Sequence, residues 1–281
     1  MRYYHVDGHL LARDGDATFD VTAGGGPDSL GALLREAADV GTDLDAAAAA
    51  YREDAPEAEV ADDGADLPLV PGEVWAAGVT YAISEEAREA ESTMPDMYMN
   101  VYEAERPEIF FKATPSRTVG PSEAVGIRAD SDWDVPEPEL GIVLHEGDIV
   151  GFTVGNDMSS RDIEGQNPLY LPQAKVYDRC CSLGPAVVAA DDVDPHDLEM
   201  SIVIERDGEV VFEDRTSTGE MKRSVEELAS YYTRHNAVPE LAVLLTGTSL
   251  VPPDDFTLRE GDAVTIDMEG IGTLANPVVE V

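Results

Sequence analysis

The chain has 281 residues, with 18 Lys+Arg against 58 Asp+Glu and a formal net charge of −40. So anionic a surface repels phosphate backbones and anionic lipid headgroups, which excludes nucleic-acid and peripheral-membrane roles. Hydrophobic residues, 43% of the chain and patterned to its C-terminus, exclude an acidic disordered protein.

Only Lys112, Lys175 and Lys222 are lysines. An acid-rich, lysine-poor composition suits the cytoplasm of a halophile, where molar salt screens charges over about 3 Å. Met1 to Leu11 carries Arg2, His5, Asp7 and His9, so no signal peptide is expected there. No apolar run approaches the roughly 20 residues of a membrane span. The adjacent Cys180 and Cys181 offer no disulfide framework.

In chain order, residues 1–70 read as a small N-terminal α/β domain and 71–281 as a larger, mostly β catalytic domain, an α+β architecture overall. Short strands are expected at Arg2–Val6 and Thr18–Val21. A helix follows, capped by Asp28 or Ser29 and running through Leu30, Leu33 and Leu34. Ala46–Ala50 falls in a second helix, and Asp62–Asp66 is a solvated connector. Val74–Val79 reads as a strand, and Ser84–Glu91 as a polar helix with almost no apolar face, either a solvated surface helix or a lid. Asp207-Gly208 between two strand-like runs predicts a hairpin. Ser224 caps a helix through Val225, Leu228 and Tyr231, with Glu227 completing a capping box.

Residues 106–185 stand apart. They carry a net charge of −6, whereas the other 201 residues carry −34, and two of the three lysines lie here. A segment that avoids the surface charge load is either core or site. Glu137 and Glu139 project from the same face of a strand, because side chains two apart do so. Two carboxylates on one face repel unless a cation or proton lies between them. Hard oxygen ligands favour Mg2+, Mn2+ or Ca2+, although a solvated edge strand also explains a lone Glu-x-Glu. Asp157 falls at the end of the next strand, where it is a third carboxylate or a turn cap. The prolines of Asn167–Lys175 fix a non-repetitive path to Lys175, and Thr246-Gly247-Thr248 is a hydroxyl-rich turn.

The ordered combination Glu137-x-Glu139, Asn156-Asp157-x-Ser159-x-Arg161-Asp162, Lys175, Gly247-Thr248 and Glu269-Gly270-Ile271-Gly272-Thr273-Leu274 resembles the fumarylacetoacetate hydrolase superfamily over about residues 73–281. The resemblance implies a mixed β-roll and a divalent cation, Mg2+ or Mn2+, held by Glu137, Glu139 and Asp157. Within the superfamily, Arg106–Pro115, Pro136–Leu140 and Asn167–Gln173, with Cys180-Cys181 behind them, are similar to archaeal 2-keto-3-deoxy-pentonate dehydratases. That similarity implies a hydro-lyase of oxidative pentose degradation, which converts a 2-keto-3-deoxy-pentonate to 2-oxoglutarate semialdehyde and water.

On this reading Lys175, Glu108 and Glu164 are the catalytic candidates, and Thr80, Lys112, Arg161 and Thr248 the substrate-binding ones. Arg161 could equally orient the ligand carboxylates. The expected partner is a small 2-keto acid, and the expected assembly a homodimer or homotetramer. Two departures weigh against the family's C–C hydrolases. No histidine lies in Gly78–Glu105, where those enzymes carry one on a lid, and Glu164 stands where the fumarylacetoacetate hydrolases have glutamine. The aspartate that gives some members a fourth protein ligand is missing near Thr80–Tyr81. The alternative function is an acylpyruvate hydrolase or oxaloacetate decarboxylase. Residues 82–105, with Met94, Met97 and Met99, are expected to form a lid ordered by ligand.

Overall fold

The structure is a computed structural model that describes residues 1–81 and 100–281. The polar helix expected at Ser84–Glu91, the three lid methionines and most of the expected lid therefore lie outside the described residues.

The described elements, in chain order, are mostly strands. They are β1 (Arg2–Val6), β2 (His9–Asp14), β3 (Ala17–Asp20), helices α1 (Leu30–Val40) and α2 (Leu44–Ala49), β4 (Glu73–Gly78), β5 (Glu108–Ala113), β6 (Thr118–Val119) and β7 (Val125–Ile127). Next come β8 (Asp134–Val135), β9 (Pro138–His145), β10 (Asp148–Asp157), β11 (Ser159–Ser160), α3 (Arg161–Gln166), α4 (Leu171–Lys175) and β12 (Cys181–Ala189). The chain closes with β13 (Glu199–Arg206), β14 (Glu209–Ser217), α5 (Val225–Thr233), β15 (Leu241–Leu245), β16 (Ala263–Met268) and β17 (Gly272–Glu280).

Two large sheets result, both mixed, which agrees with the expected mostly β roll. The larger runs β3-β2-β1-β12-β10-β9-β15-β4-β5, with β6 joining β12 in parallel. The smaller runs β14-β13-β16-β17-β7. Strands β9 and β12 are buried at every position, as their near-continuous apolar sequences require in a sheet covered on both faces. In β13 the buried residues alternate at Met200, Ile202 and Ile204, the period of a strand with one solvated face. Strand β17 packs on β12 and β10, and one apolar cluster joins the two sheets.

The N-terminal strands extend the larger sheet, because β1 pairs antiparallel with β12. Helix α1 turns Leu30, Leu33, Leu34 and Ala37 inward and ends at Gly41, whose φ of 71° is the left-handed cap that glycine tolerates. Helix α2 holds Ala46–Ala49 of the expected second helix and begins at Leu44, where the Asp43 side chain accepts from the Ala46 N–H and caps it. Ser224 caps α5 as expected, but the Glu227 carboxylate takes the Arg223 guanidinium at 2.6 Å instead of reaching back.

Candidate active site

Strands β9 and β10 are hydrogen-bonded neighbours, and their ends bring three carboxylates together. Glu137 and Glu139 share a face at the start of β9, and Asp157 ends β10. Backbone bonds lock this corner: the Asp157 N–H donates to the Glu137 carbonyl at 2.9 Å, and the Glu137 N–H donates to Asn156 Oδ1 at 3.2 Å. All three carboxylates are buried. One oxygen from each lies within 4.8 Å of the others, a spacing one cation can span.

The partners of the three differ. Glu137 meets Lys175 Nζ at 2.5 Å and Arg161 at 2.8 Å. Burial alone would raise its pKa, but Lys175 and Arg161 outweigh burial and hold it low. Asp157 pairs with Lys112 at 2.5 Å and with Lys175 at 3.3 Å. Glu139 accepts the Gly247 N–H at 2.6 Å. Burial first, then Asp157 and Glu137, push its pKa well above the carboxylate range. A buried carboxyl raised in this way binds either a proton or a cation. An all-carboxylate donor set fits a hard ion such as Mg2+.

Lys175 ends the short helix α4, which Pro172 opens. Its ammonium also donates to Ser159 Oγ at 2.6 Å and sits 5.6 Å from the centre of the Phe110 ring. Burial alone would lower its pKa, but Asp157 and Glu137 outweigh burial and keep it protonated. Glu108, opening β5, faces the same cleft. Burial, with Glu164, Glu137 and Asp157 against Lys175, pushes its pKa up to about 7, within the range of a group that exchanges protons at neutral pH.

The cleft is lined by eight of the ten residues singled out from the sequence: Glu108, Glu137, Glu139, Asp157, Arg161, Glu164, Lys175 and Thr248. Arg161 opens α3 behind the Ser160 cap, and its Nε lies 4.0 Å from Glu164. Lys112 and Thr80 sit behind this wall. Lys112 is fully buried. It sits where the register of β5 against β4 shifts, pairs with Asp157, and also donates to the Met158 and Lys175 carbonyls. Thr80 donates to the Thr246 carbonyl at 2.6 Å and so fixes the turn that presents the Gly247 N–H.

Four further residues contribute: Ser159 and Gly247, quoted from the sequence only as parts of motifs, and Gly78 and Val79, given no role there. Ser159 holds Lys175, and its signal was its place two residues after Asp157 on one face. The Gly247 N–H holds Glu139. Gly78 and Val79 line the cleft beside Glu108, and Val79 has a φ of 55°, an outlier for a β-branched residue.

Residues 73–279 fit the model of the fumarylacetoacetate (FAA) hydrolase C-terminal family. The chain is 62% identical over 292 aligned residues, covering 100% of both proteins, to a probable 2-keto-3-deoxyxylonate dehydratase of Haloferax volcanii. It is 45% identical to a 2-dehydro-3-deoxy-D-arabinonate dehydratase of Saccharolobus solfataricus, covering 75% of this chain and 73% of that one. A solved structure of 2-keto-3-deoxy-D-arabinonate dehydratase complexed with magnesium and 2,5-dioxopentanoate superposes with a TM-score of 0.80, at 35% identity, over 100% of this chain and 99% of the other. With its three-carboxylate corner inside the matched segment, the chain belongs to the fumarylacetoacetate hydrolase family.

Proposed function

We propose that this protein is a Mg2+-dependent hydro-lyase that converts a 2-keto-3-deoxy-pentonate to 2,5-dioxopentanoate and water. The observation that carries the reading is one cleft holding a three-carboxylate cation cage, a buried lysine and a carboxyl poised near neutrality, in a chain that aligns along its whole length with a named dehydratase. Glu137, Glu139 and Asp157 would hold the ion, whose chemistry when bound is to polarise the 2-keto group and acidify the neighbouring C–H.

The chain's own groups do the rest. The Lys175 ammonium, kept protonated by Asp157 and Glu137, offers a fixed cation to the substrate's developing negative charge. Glu108 and Glu164 are the proton carriers at the cleft wall. One takes the proton beside the ketone, and a carboxylic acid gives a proton to the hydroxyl on the following carbon, which leaves as water. Further proton transfers convert the terminal carbinol of the resulting enone to the aldehyde, so the net change is loss of one water without redox. Thr248, on the cleft wall, would hydrogen-bond the substrate, and Arg161 would hold Glu137 in ligating position. Lys112 and Thr80, assigned to substrate from the sequence, act here from behind the wall.

The place of this enzyme would be oxidative pentose degradation in the cytoplasm of a halophile, as a homo-oligomer. The charge of −40 supports that setting. Among the described residues no helix is long and apolar enough to cross a membrane. A substrate panel tests the activity. With Mg2+, both 2-keto-3-deoxy-pentonate epimers, an acylpyruvate and oxaloacetate are supplied in turn. The reading predicts turnover of a pentonate at least about 100-fold faster, in kcat/KM, than of the other two. Preference for acylpyruvate or oxaloacetate would replace dehydration with hydrolysis or decarboxylation.

A further inference from the structure

We propose that Gly78 is a positioning residue for Glu108, its missing side chain being the seat in which the Glu108 carboxylate rests against the cleft wall. Gly78 is the last residue of β4 and Glu108 the first of β5, and the two are directly opposed in the antiparallel register. Opposed residues in such a pair send their side chains to one face, so a side chain at position 78 and that of Glu108 compete for the same space. A Cβ built on Gly78 falls 2.1 Å from Glu108 Oε2 and 2.9 Å from its Cδ. Its three nearest neighbours all belong to Glu108.

Two other reasons for a glycine are absent at this position. Its φ lies outside the left-handed region, unlike that of Gly247 at 82°, so no special backbone conformation demands it. None of those nearest neighbours is backbone, so close chain packing does not demand it either. The remaining reason is Glu108. Both residues line the cleft, so the glutamate folds over its glycine partner, toward Lys175 and the carboxylate cage. Among the described residues, a methyl at position 78 first meets the movable end of a side chain. The fold can therefore absorb it, and the displacement falls on the carboxylate. The inference rests on the proposed proton-carrying role of Glu108.

The test is a double-mutant cycle on the full chain with saturating Mg2+ and 2-keto-3-deoxy-pentonate. Gly78→Ala is expected to lower kcat by about 100-fold, the cost of a misplacement of about 1 Å. KM and the Mg2+ dissociation constant should stay within roughly twofold, because the cage is untouched. In a Glu108→Gln background, already slowed by the loss of a proton carrier, Gly78→Ala should cost a further factor well below its effect in the parent. In a Glu108→Asp background the shorter side chain vacates the seat, and the alanine should be close to neutral. Parent-like kcat in Gly78→Ala, with Glu108→Gln strongly impaired, overturns the seat and leaves the role of Glu108 standing. Parent-like kcat in Glu108→Gln overturns the role of Glu108 and the seat with it. An alanine that is equally harmful in all three backgrounds, or that prevents folding in all three, places its clash elsewhere and overturns the seat.

Discussion

Lys175 and Glu108 line one cleft with opposite electrostatic settings. Lys175 is held charged by its two carboxylate partners. Replacing it with methionine keeps the bulk of the stem and removes the cation. Lys175→Met should lower kcat by on the order of 1,000-fold or more while circular dichroism stays that of the parent; turnover at the parent rate would make Lys175 a structural lysine. Glu108 is held toward the neutral form, its pKa raised to about 7. A carboxyl raised in the folded state contributes stability that is complete below its unfolded pKa of about 4.3 and lost as pH climbs through about 7. Glu108→Gln has no such loss. In metal-free protein the unfolding temperature of Glu108→Gln should therefore gain on that of the parent between pH 5 and 8, by roughly 5 °C. A gap that stays constant with pH would show that burial does not set this carboxyl's charge.

At the scale of elements, the pleat of β9 and the strand end of β10 were legible in the sequence, because period two and strand length are local properties. They put Glu137 and Glu139 on one face and Asp157 at a strand end; the family resemblance joined the three as a ligand set, and in the structure one oxygen of each lies within 4.8 Å of the others. Depth was not legible. Glu108 and Phe110 reach the cleft from β5, whereas Lys112, where the β4–β5 register shifts, lies beneath α4, whose last carbonyl accepts from it. Hairpins divided in the same way. Asp207-Gly208 turns β13 into β14 as expected, and Asp7-Gly8 makes the same turn, with φ of 50° and 80°. The second was passed over because β2 buries three consecutive residues, Leu10, Leu11 and Ala12, without alternation. The 246–248 turn was read as a hydroxyl-rich substrate contact, whereas its larger contribution is the backbone N–H of Gly247 on Glu139. At φ 82° a Cβ there would lie 2.2 Å from Thr80 Oγ1 and 2.9 Å from the Ala77 carbonyl. Gly247→Ala should thus push the turn off Glu139 and weaken Mg2+ binding by about 10–100-fold in calorimetric titration, the range for losing an outer-shell partner. Unchanged Mg2+ affinity would show that the Gly247 N–H contributes nothing to the cage.

For the molecule as a whole, most of the net charge lies outside the site segment, and the −34 carried outside residues 106–185 is a load that repels itself in dilute salt. Reducing KCl from about 2 M to about 0.1 M lengthens the screening distance to about 10 Å, so the unfolding temperature should fall by more than roughly 10 °C; an unchanged or higher value would remove the argument for a high-salt cytoplasm. The central claim, cation-dependent loss of water at this cleft, is tested most directly by identifying the product by NMR with and without the ion. Protein stripped with EDTA should leave 2-keto-3-deoxy-pentonate intact, and added Mg2+ should restore its conversion to 2,5-dioxopentanoate, whereas turnover that ignores EDTA, or pyruvate and glycolaldehyde in place of the semialdehyde, would contradict the account.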